Sequence, residues 1–243
     1  MAAKYYIGTS GWVYPHWRGT FYPHDLSQSK WLSFYTQHFS TVELNNTFYH
    51  LPKEKTFDNW YTRVPDGIRY AVKASRFITH IKKLNDVAEP VQTFLERACR
   101  LKEKLGPILY QLPPSMHRND ERLESFLSLL PRSISHAIEF RHESWLDNQV
   151  FEILRRHNTG LCVFDMPGFQ CPLLATANFA YLRFHGSSGL YSSCYSDEEL
   201  EGWARRIVKV SKGLKTVYIY FNNDAEGFAI RNAQTLREKL TNQ

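Results

Sequence analysis

The sequence is poor in the features that mark membrane, secreted and disulfide-bonded proteins. Its 243 residues contain four cysteines, which show neither CxxC spacing nor the density of a disulfide framework. The longest apolar runs are only strand-length, and the first residues form no apolar segment of signal-peptide length. These absences argue against a membrane span and a secretory leader. Free thiols are typical of a reducing compartment, so we expect a cytoplasmic protein.

The sequence also lacks the short motifs that bind common cofactors and metals. It contains no GxGxxG segment, no P-loop and no HExxH pair. We therefore expect no cofactor and no metal ion. One alternative stays open, because carboxylates and imidazole suit divalent ions. Its ligands would be Glu43, Glu139, Asp165 and His185, although three neighbouring cations would compete with the metal.

The charge balance is mildly basic. Lysine and arginine outnumber aspartate and glutamate by 30 to 24, and the basic residues are dispersed along the chain. No block of basic residues marks a nucleic-acid tail. The net charge of +6 is consistent with an anionic small molecule, with a nucleic acid, or with no charged partner, and the dispersed pattern disfavours a nucleic acid.

Apolar, β-branched and aromatic runs predict eight strands, separated by segments with helical spacing. The strands are residues 4–9, 40–45, 69–74, 107–112, 135–141, 160–165, 179–185 and 215–222. The clearest helices are residues 29–39, 53–64, 91–105 (ended by Gly106) and 227–240. Ser196 and Glu199 form a capping box before a further helix.

This alternation of strands and helices implies parallel strands, and eight units favour closure of the sheet. We therefore predict one α/β domain over residues 1–243, a TIM-like (β/α)8 barrel. An open doubly wound sheet is the alternative, but no dinucleotide or P-loop motif supports it.

Polar side chains gather at the carboxyl ends of the predicted strands. Because strand side chains alternate between two faces, Glu43 and Asn45 share the lumen side while Leu44 faces the helices. The same parity brings these residues inward: Ser10, Lys73, Gln111, Glu139, Arg141, Asp165, Arg183, His185 and Asn222. In a TIM barrel this end carries the active site.

A structural interpretation of these charges competes with a functional one. Three carboxylates and three cations nearly balance, so they could simply be salt bridges that close the barrel mouth. A purely structural barrel, however, fills its lumen with Val, Ile and Leu. Six ionisable groups and a histidine near one end are costly unless they are used.

We predict general acid/base chemistry, with Glu139 as the base and Glu43 or His185 as the partner acid. Asp165 and Lys73 are further catalytic candidates, and Lys73 is open to three roles: Schiff-base nucleophile, anion clamp or partner of Glu43. The candidate substrate- or anion-binding residues are Ser10, Trp12, Asn45, Gln111, Arg141, Arg183, Gly186, Asn222 and Asn223. We expect the anion to lie near Lys73, Arg141, Arg183 and His185.

Two loops are candidate phosphate sites. Residues 185–189 (HGSSG) and 222–229 (NNDAEGFA) follow the seventh and eighth predicted strands, where barrels often bind phosphate at a helix N-terminus. A flexible loop and an ordinary helix cap are the structural alternatives. Three tryptophans of the loops, Trp12, Trp17 and Trp145, look exposed and suit the nucleic-acid alternative.

Seven segments together resemble the YecE-like family, domain of unknown function number 72. They are TSGWVYPHW, VELNNTFYHLP, YAVKASRFITH, LGPILYQLPP, IEFRHESW, YLRFHG and YFNNDAEGFAIRNA, and they span nearly the whole chain in order. The resemblance implies a TIM-barrel-like fold and no established activity. The matching residues are Ser10, Gly11, Trp12, Glu43, Asn45, Tyr49, Lys73, His80, Gln111, Pro113, Glu139, Arg141, Trp145, Asp165, Arg183, His185, Gly186, Asn222, Asn223 and Asn232.

Three functional hypotheses follow. The first is an enzyme that acts on a small anionic or phosphorylated metabolite by proton transfer without a redox cofactor. The second is a nucleic-acid-directed protein, either a phosphodiesterase or a binding module. The third is a barrel that binds a ligand without catalysis, which a fold alone does not exclude.

Overall fold

The structure is a computed structural model that describes residues 3–242. Its nine strands among these residues are β1 Lys4–Thr9, β2 Thr41–Leu44, β3 Arg69–Lys73, β4 Leu105–Gln111, β5 His136–Glu139, β6 Gly160–Met166, β7 Phe169–Gln170, β8 Phe179–Phe184 and β9 Thr216–Phe221. The eight α-helices of the same residues are α1 Trp31–His38, α2 Asn46–Tyr49, α3 Glu54–Thr62, α4 Ala88–Ala98, α5 Asp120–Ser128, α6 Asn148–Arg156, α7 Asp197–Val210 and α8 Phe228–Thr241.

Eight of these strands follow one another around the sheet in the order β1-β9-β8-β6-β5-β4-β3-β2. Strands β1 and β2 meet again through a parallel bridge between Ser10 and Glu43. The ninth, β7, only forms a short antiparallel hairpin with β6. Helices separate the successive parallel strands along the chain except β6 and β8, whose connection carries β7, and the fold is the predicted TIM-like (β/α)8 barrel.

The chain divides into two compact units. Unit 1 comprises the chain as far as Glu43, Val163–Ala175 and the residues from Phe179 onward; unit 2 comprises Leu44–Cys162 and Thr176–Asn178. Unit 1 therefore holds β1, β8 and β9, and unit 2 holds β3, β4 and β5. Neither unit contains a described helix that is both long enough and apolar enough to cross a bilayer.

Of two predicted helix features, the structure confirms one and contradicts the other. The capping box is confirmed, because the Ser196 hydroxyl accepts from the Glu199 amide and the Glu199 carboxylate accepts from the Ser196 amide. The helix predicted to run to residue 105 is wrong at its end. Helix α4 stops at Ala98, a 3-10 segment Cys99–Lys104 follows, and Gly106 lies within β4.

The exposure expected for two tryptophans is also wrong. Trp17 and Trp145 are both 0% exposed. The Trp17 indole N–H donates to the Asp224 carbonyl at 2.8 Å, and that of Trp145 to the Met116 carbonyl at 2.7 Å. A buried indole needs such an acceptor, and each finds one far along the chain. These two rings are core, so they no longer support nucleic-acid stacking; Trp12 is half-buried.

Strands β1 and β2 approach so closely that residue 8 must be glycine. A Cβ added to Gly8 would lie 2.2 Å from the Thr41 carbonyl oxygen, which is backbone and has little room to move. We predict that Gly8→Ala lowers the free energy of unfolding by about 1–3 kcal/mol, the usual cost of overpacking.

Urea unfolding of Gly8→Ala and Gly202→Ala tests this prediction. Gly202 lies within α7, and a Cβ there would meet nothing within 4 Å. Alanine at that position should stabilise the protein by about 0.5–1 kcal/mol because it favours the helix. A Gly8→Ala variant as stable as the parent would contradict the close approach of the two strands.

Candidate active site

The predicted polar residues do lie at the carboxyl ends of strands. Lys73, Gln111 and Glu139 are the last residues of β3, β4 and β5, and Glu43, Asp165 and Arg183 lie near the ends of β2, β6 and β8. They are divided between the two units. In unit 1 are Ser10, Trp12, Glu43, Asp165, Arg183, His185, Gly186, Asn222 and Asn223, and in unit 2 are Asn45, Lys73, Gln111, Glu139 and Arg141.

In unit 1, Glu43 is the centre of a buried group that we call the Glu43 cluster: Ser10, Glu43, Tyr181 and Arg183. Its carboxylate is 0% exposed. Oε1 accepts from Ser10 Oγ at 2.7 Å and from Arg183 Nη2 at 2.8 Å, while Oε2 accepts from the Tyr181 hydroxyl at 2.5 Å. Both carboxylate oxygens and the charge therefore have partners inside the protein. This arrangement fits the structural interpretation of a salt bridge.

The Glu43 cluster also confirms the strand parity in unit 1. Thr41 and Glu43 are two residues apart on β2, and each contacts a tyrosine that was also predicted to face the lumen. Thr41 Oγ1 lies 2.7 Å from the hydroxyl of Tyr220 on β9, and Glu43 accepts from the hydroxyl of Tyr181 on β8. The alternation of side chains along a strand thus placed these hydroxyls and carboxylates on one face.

His185 and Asp165, the other ionisable candidates of unit 1, are held by different partners. His185 is 0% exposed, and its Nδ1 lies 3.1 Å from the side-chain Nδ2 of Asn222. Asp165 Oδ2 accepts from the Tyr195 hydroxyl at 2.7 Å. Burial raises the pKa of the Asp165 carboxyl, and the Tyr195 hydrogen bond opposes that rise.

The loop after β8 uses its backbone amides internally. The amides of Ser188 and Gly189 donate to Ser193 Oγ at 3.1 and 3.0 Å, and the Gly186 amide donates to the Tyr195 hydroxyl at 3.1 Å. In the next loop, Asn223 is buried and its side-chain amide donates to the Ser193 carbonyl at 2.9 Å. These backbone amides therefore have hydrogen-bond partners within the protein.

Unit 2 holds a second buried carboxylate. We define the Glu139 cluster as Lys73, Gln111, Glu139, Arg141 and Cys162. Glu139 is 0% exposed, and its Oε1 accepts short hydrogen bonds from Gln111 Nε2 and Arg141 Nε. The Cys162 thiol donates to Oε2 at 3.5 Å. These donors favour the ionised carboxylate and fix its orientation.

The two cations of the Glu139 cluster are nearly buried. Lys73 is 8% exposed, and the side chain of Arg141 is 12% exposed. Lys73 Nζ lies 4.3 Å from the centroid of the Phe48 ring, which is a cation–π contact. Phe48 belongs to the short helix α2, and next to that helix is Asn45, whose buried Oδ1 accepts no hydrogen bond from any described residue.

His80, which is absent from the inward-facing residues predicted by strand parity, feels the charges of Lys73 and Arg141. His80 belongs to a π-helix, Phe77–Ile81, that follows β3, and its ring packs edge-on against Phe48 with centroids 4.9 Å apart. The pKa of His80 is lowered to about 4, mainly by burial and also by the cations Lys73, Arg76 and Arg141, while Glu139 opposes the shift. Its only sequence signal was its place in the RFITH motif.

A cavity of about 570 Å³ in unit 2 adjoins the same π-helix. Ser75, Phe77, Ile78, Lys82 and Phe94 are among the residues that line it. Lys73, Glu139 and Arg141 do not line it, so burial and charge, rather than this cavity, define the candidate site. No three described His, Cys, Asp or Glu side chains are grouped closely enough to hold a metal ion.

The protein belongs to the broad class of TIM-like barrels, with buried charges at the ends of its strands. Comparison with known proteins identifies its family within that class. The model of a family described as protein of unknown function DUF72 matches residues 6–243. The chain therefore belongs to the DUF72 family, as its motifs predicted.

Individual relatives agree with this assignment. A DUF72 family protein of Thermotoga maritima is 32% identical, with a TM-score of 0.88 over 98% of this chain and 99% of the other. A DUF72 family protein of Enterococcus faecalis has the same fold at 21% identity, with a TM-score of 0.85 over 98% and 95% of the two chains. The protein YunF of Bacillus subtilis is 25% identical over 97% of this chain and 94% of its own.

Proposed function

We propose that the protein is an enzyme that binds a small anionic or phosphorylated metabolite at the Glu139 cluster and transfers a proton there. The observation that carries this proposal is that two nearly buried cations, Lys73 and Arg141, and the buried carboxylate of Glu139 lie at the carboxyl ends of strands in one unit. Buried charged groups at that end of a barrel are costly unless they are used, and two cations so placed suit an anionic ligand.

The chemistry of the donors suits such a ligand. An arginine guanidinium binds a carboxylate or phosphate through charge-assisted hydrogen bonds, and a lysine ammonium adds a point charge. Glu139 accepts a hydrogen bond from Arg141 Nε and a second one from Gln111 Nε2, so the carboxylate that orients the guanidinium is itself held in place. The site is therefore partly preorganised for an anion.

Glu139 is the proposed general base. Three donors orient its carboxylate and favour the ionised form, and a carboxylate so placed accepts a proton once a ligand displaces one of them. The proton would come from a carbon or oxygen next to the anionic group that Lys73 and Arg141 hold. No redox cofactor enters this step.

Binding of an inorganic anion tests the proposal without knowledge of the substrate. We predict that sulfate binds weakly at low ionic strength and that Lys73→Gln weakens it by about tenfold or more, since a hydrogen bond to a charged group contributes about 1.5–3 kcal/mol. Arg141→Gln should act in the same direction. Isothermal calorimetry measures both.

Lys55→Gln is the matched control, because Lys55 is exposed on α3 of the same unit. It removes the same charge and should leave sulfate binding unchanged once ionic strength is fixed. Equal binding by the Lys73→Gln, Arg141→Gln and Lys55→Gln variants would remove the Glu139 cluster as the anion site.

A further inference from the structure

His80 is placed to exchange a proton beside the anion site. It is half-buried, and the π-helix that carries it begins four residues after Lys73. The Phe48 ring joins the two side chains, because Lys73 Nζ and the His80 ring each contact it. Single-turn π-helices are frequent at functional sites.

The two ring nitrogens of His80 have different surroundings. Nδ1 lies 2.9 Å from the Thr79 hydroxyl oxygen, within hydrogen-bond distance. Nε2 has no hydrogen-bond partner among the described residues, so it is the nitrogen that a ligand can contact without displacing a protein group.

Burial first, and the neighbouring charges second, lower the pKa of His80 and disfavour its charged form in the free protein. The charged groups that act on His80 are Lys73 from β3, Arg76 at the start of the π-helix, and Glu139 and Arg141 after β5. Three are cations and one is an anion, so together they oppose a further positive charge. An anion bound to Lys73 and Arg141 would cancel part of this repulsion.

We infer that His80 is the second proton-carrying residue of the site, and that an anion held by Lys73 and Arg141 brings a proton from solvent to the His80 ring. This inference rests on the proposed anion site. In the occupied site the imidazolium then serves as the general acid, and Glu139 serves as the base. His80 shares unit 2 with Glu139, Lys73 and Arg141.

Histidine NMR titration with and without sodium sulfate tests the inference, because sulfate itself does not titrate in this range. His136 is an internal control within unit 2: burial lowers its pKa to about 4 as well, without a contribution from the cations around His80. The His80→Gln variant assigns the resonance, and sodium chloride at equal ionic strength controls for screening.

We expect sulfate to raise the pKa of His80 by about one unit or more and to leave that of His136 unchanged. The Lys73→Gln variant should raise the His80 pKa even without sulfate. If calorimetry shows sulfate at the Glu139 cluster while His80 titrates as before, the inference is wrong and the proposed function stands. If sulfate does not bind there, both are wrong.

Discussion

Replacement of Glu43 by alanine is expected to lower the free energy of unfolding by about 3–5 kcal/mol, the usual cost of breaking a buried ion pair from one side. Arg183 is 1% exposed and its Nη2 lies 2.8 Å from Glu43 Oε1. Removal of the carboxylate leaves this guanidinium charged in the interior. It also takes the acceptor from Ser10 Oγ and from the Tyr181 hydroxyl.

An exposed ion pair of similar geometry provides the control. Arg156 and Glu124 are also 2.8 Å apart, but their side chains are 56% and 47% exposed. Glu124→Ala should cost less than about 1 kcal/mol, because solvent screens such pairs. Urea unfolding of the two variants measures the contrast. If both variants lose the same free energy of unfolding, burial of the Glu43–Arg183 ion pair does not add to its contribution to stability.

The second large effect is expected at Glu139. On a substrate found by screening phosphorylated and carboxylated metabolites, Glu139→Gln should lower kcat by about 10²-fold or more, the usual contribution of a positioned general base. Glutamine keeps the size of the side chain and an oxygen that accepts from Arg141, so the fold should survive. Circular dichroism and thermal unfolding check that survival.

Glu143→Gln is the matched control for this measurement, since Glu143 is an exposed carboxylate four residues further along the chain. It should keep full kcat. Full kcat in Glu139→Gln would remove Glu139 from the mechanism. An unfolded Glu139→Gln variant would instead support the structural interpretation, in which Glu139 only balances Arg141.

The sequence predicted the strands well because their signal is local. Alternation with period two places Thr41 and Glu43 on one face whatever the rest of the chain does, and the hydrogen bonds to Tyr220 and Tyr181 confirm it. The end of α4 was predicted less well. A 3-10 segment with Lys102 at a φ of 49° continues the helical spacing to residue 104 and leaves Gly106 free to join β4.

Long-range partners account for what the sequence did not predict. Whether Trp17 and Trp145 are buried depends on carbonyls of Asp224 and Met116, which no local pattern identifies. His80 escaped the parity argument because it lies on a π-helix, beyond the last residue of β3. The proximity of His80 to Lys73 depends on the Phe48 ring, which contacts both side chains and which no local sequence pattern identifies.

A crystal structure of the protein grown or soaked in sulfate tests the central claim most directly. We predict density for the anion within hydrogen-bonding distance of Lys73 Nζ and the Arg141 guanidinium, and its loss in the Lys73→Gln variant under the same conditions. Sulfate found only on exposed lysines and arginines, with the Glu139 cluster empty at a concentration that saturates binding in solution, would contradict an anion site at these residues.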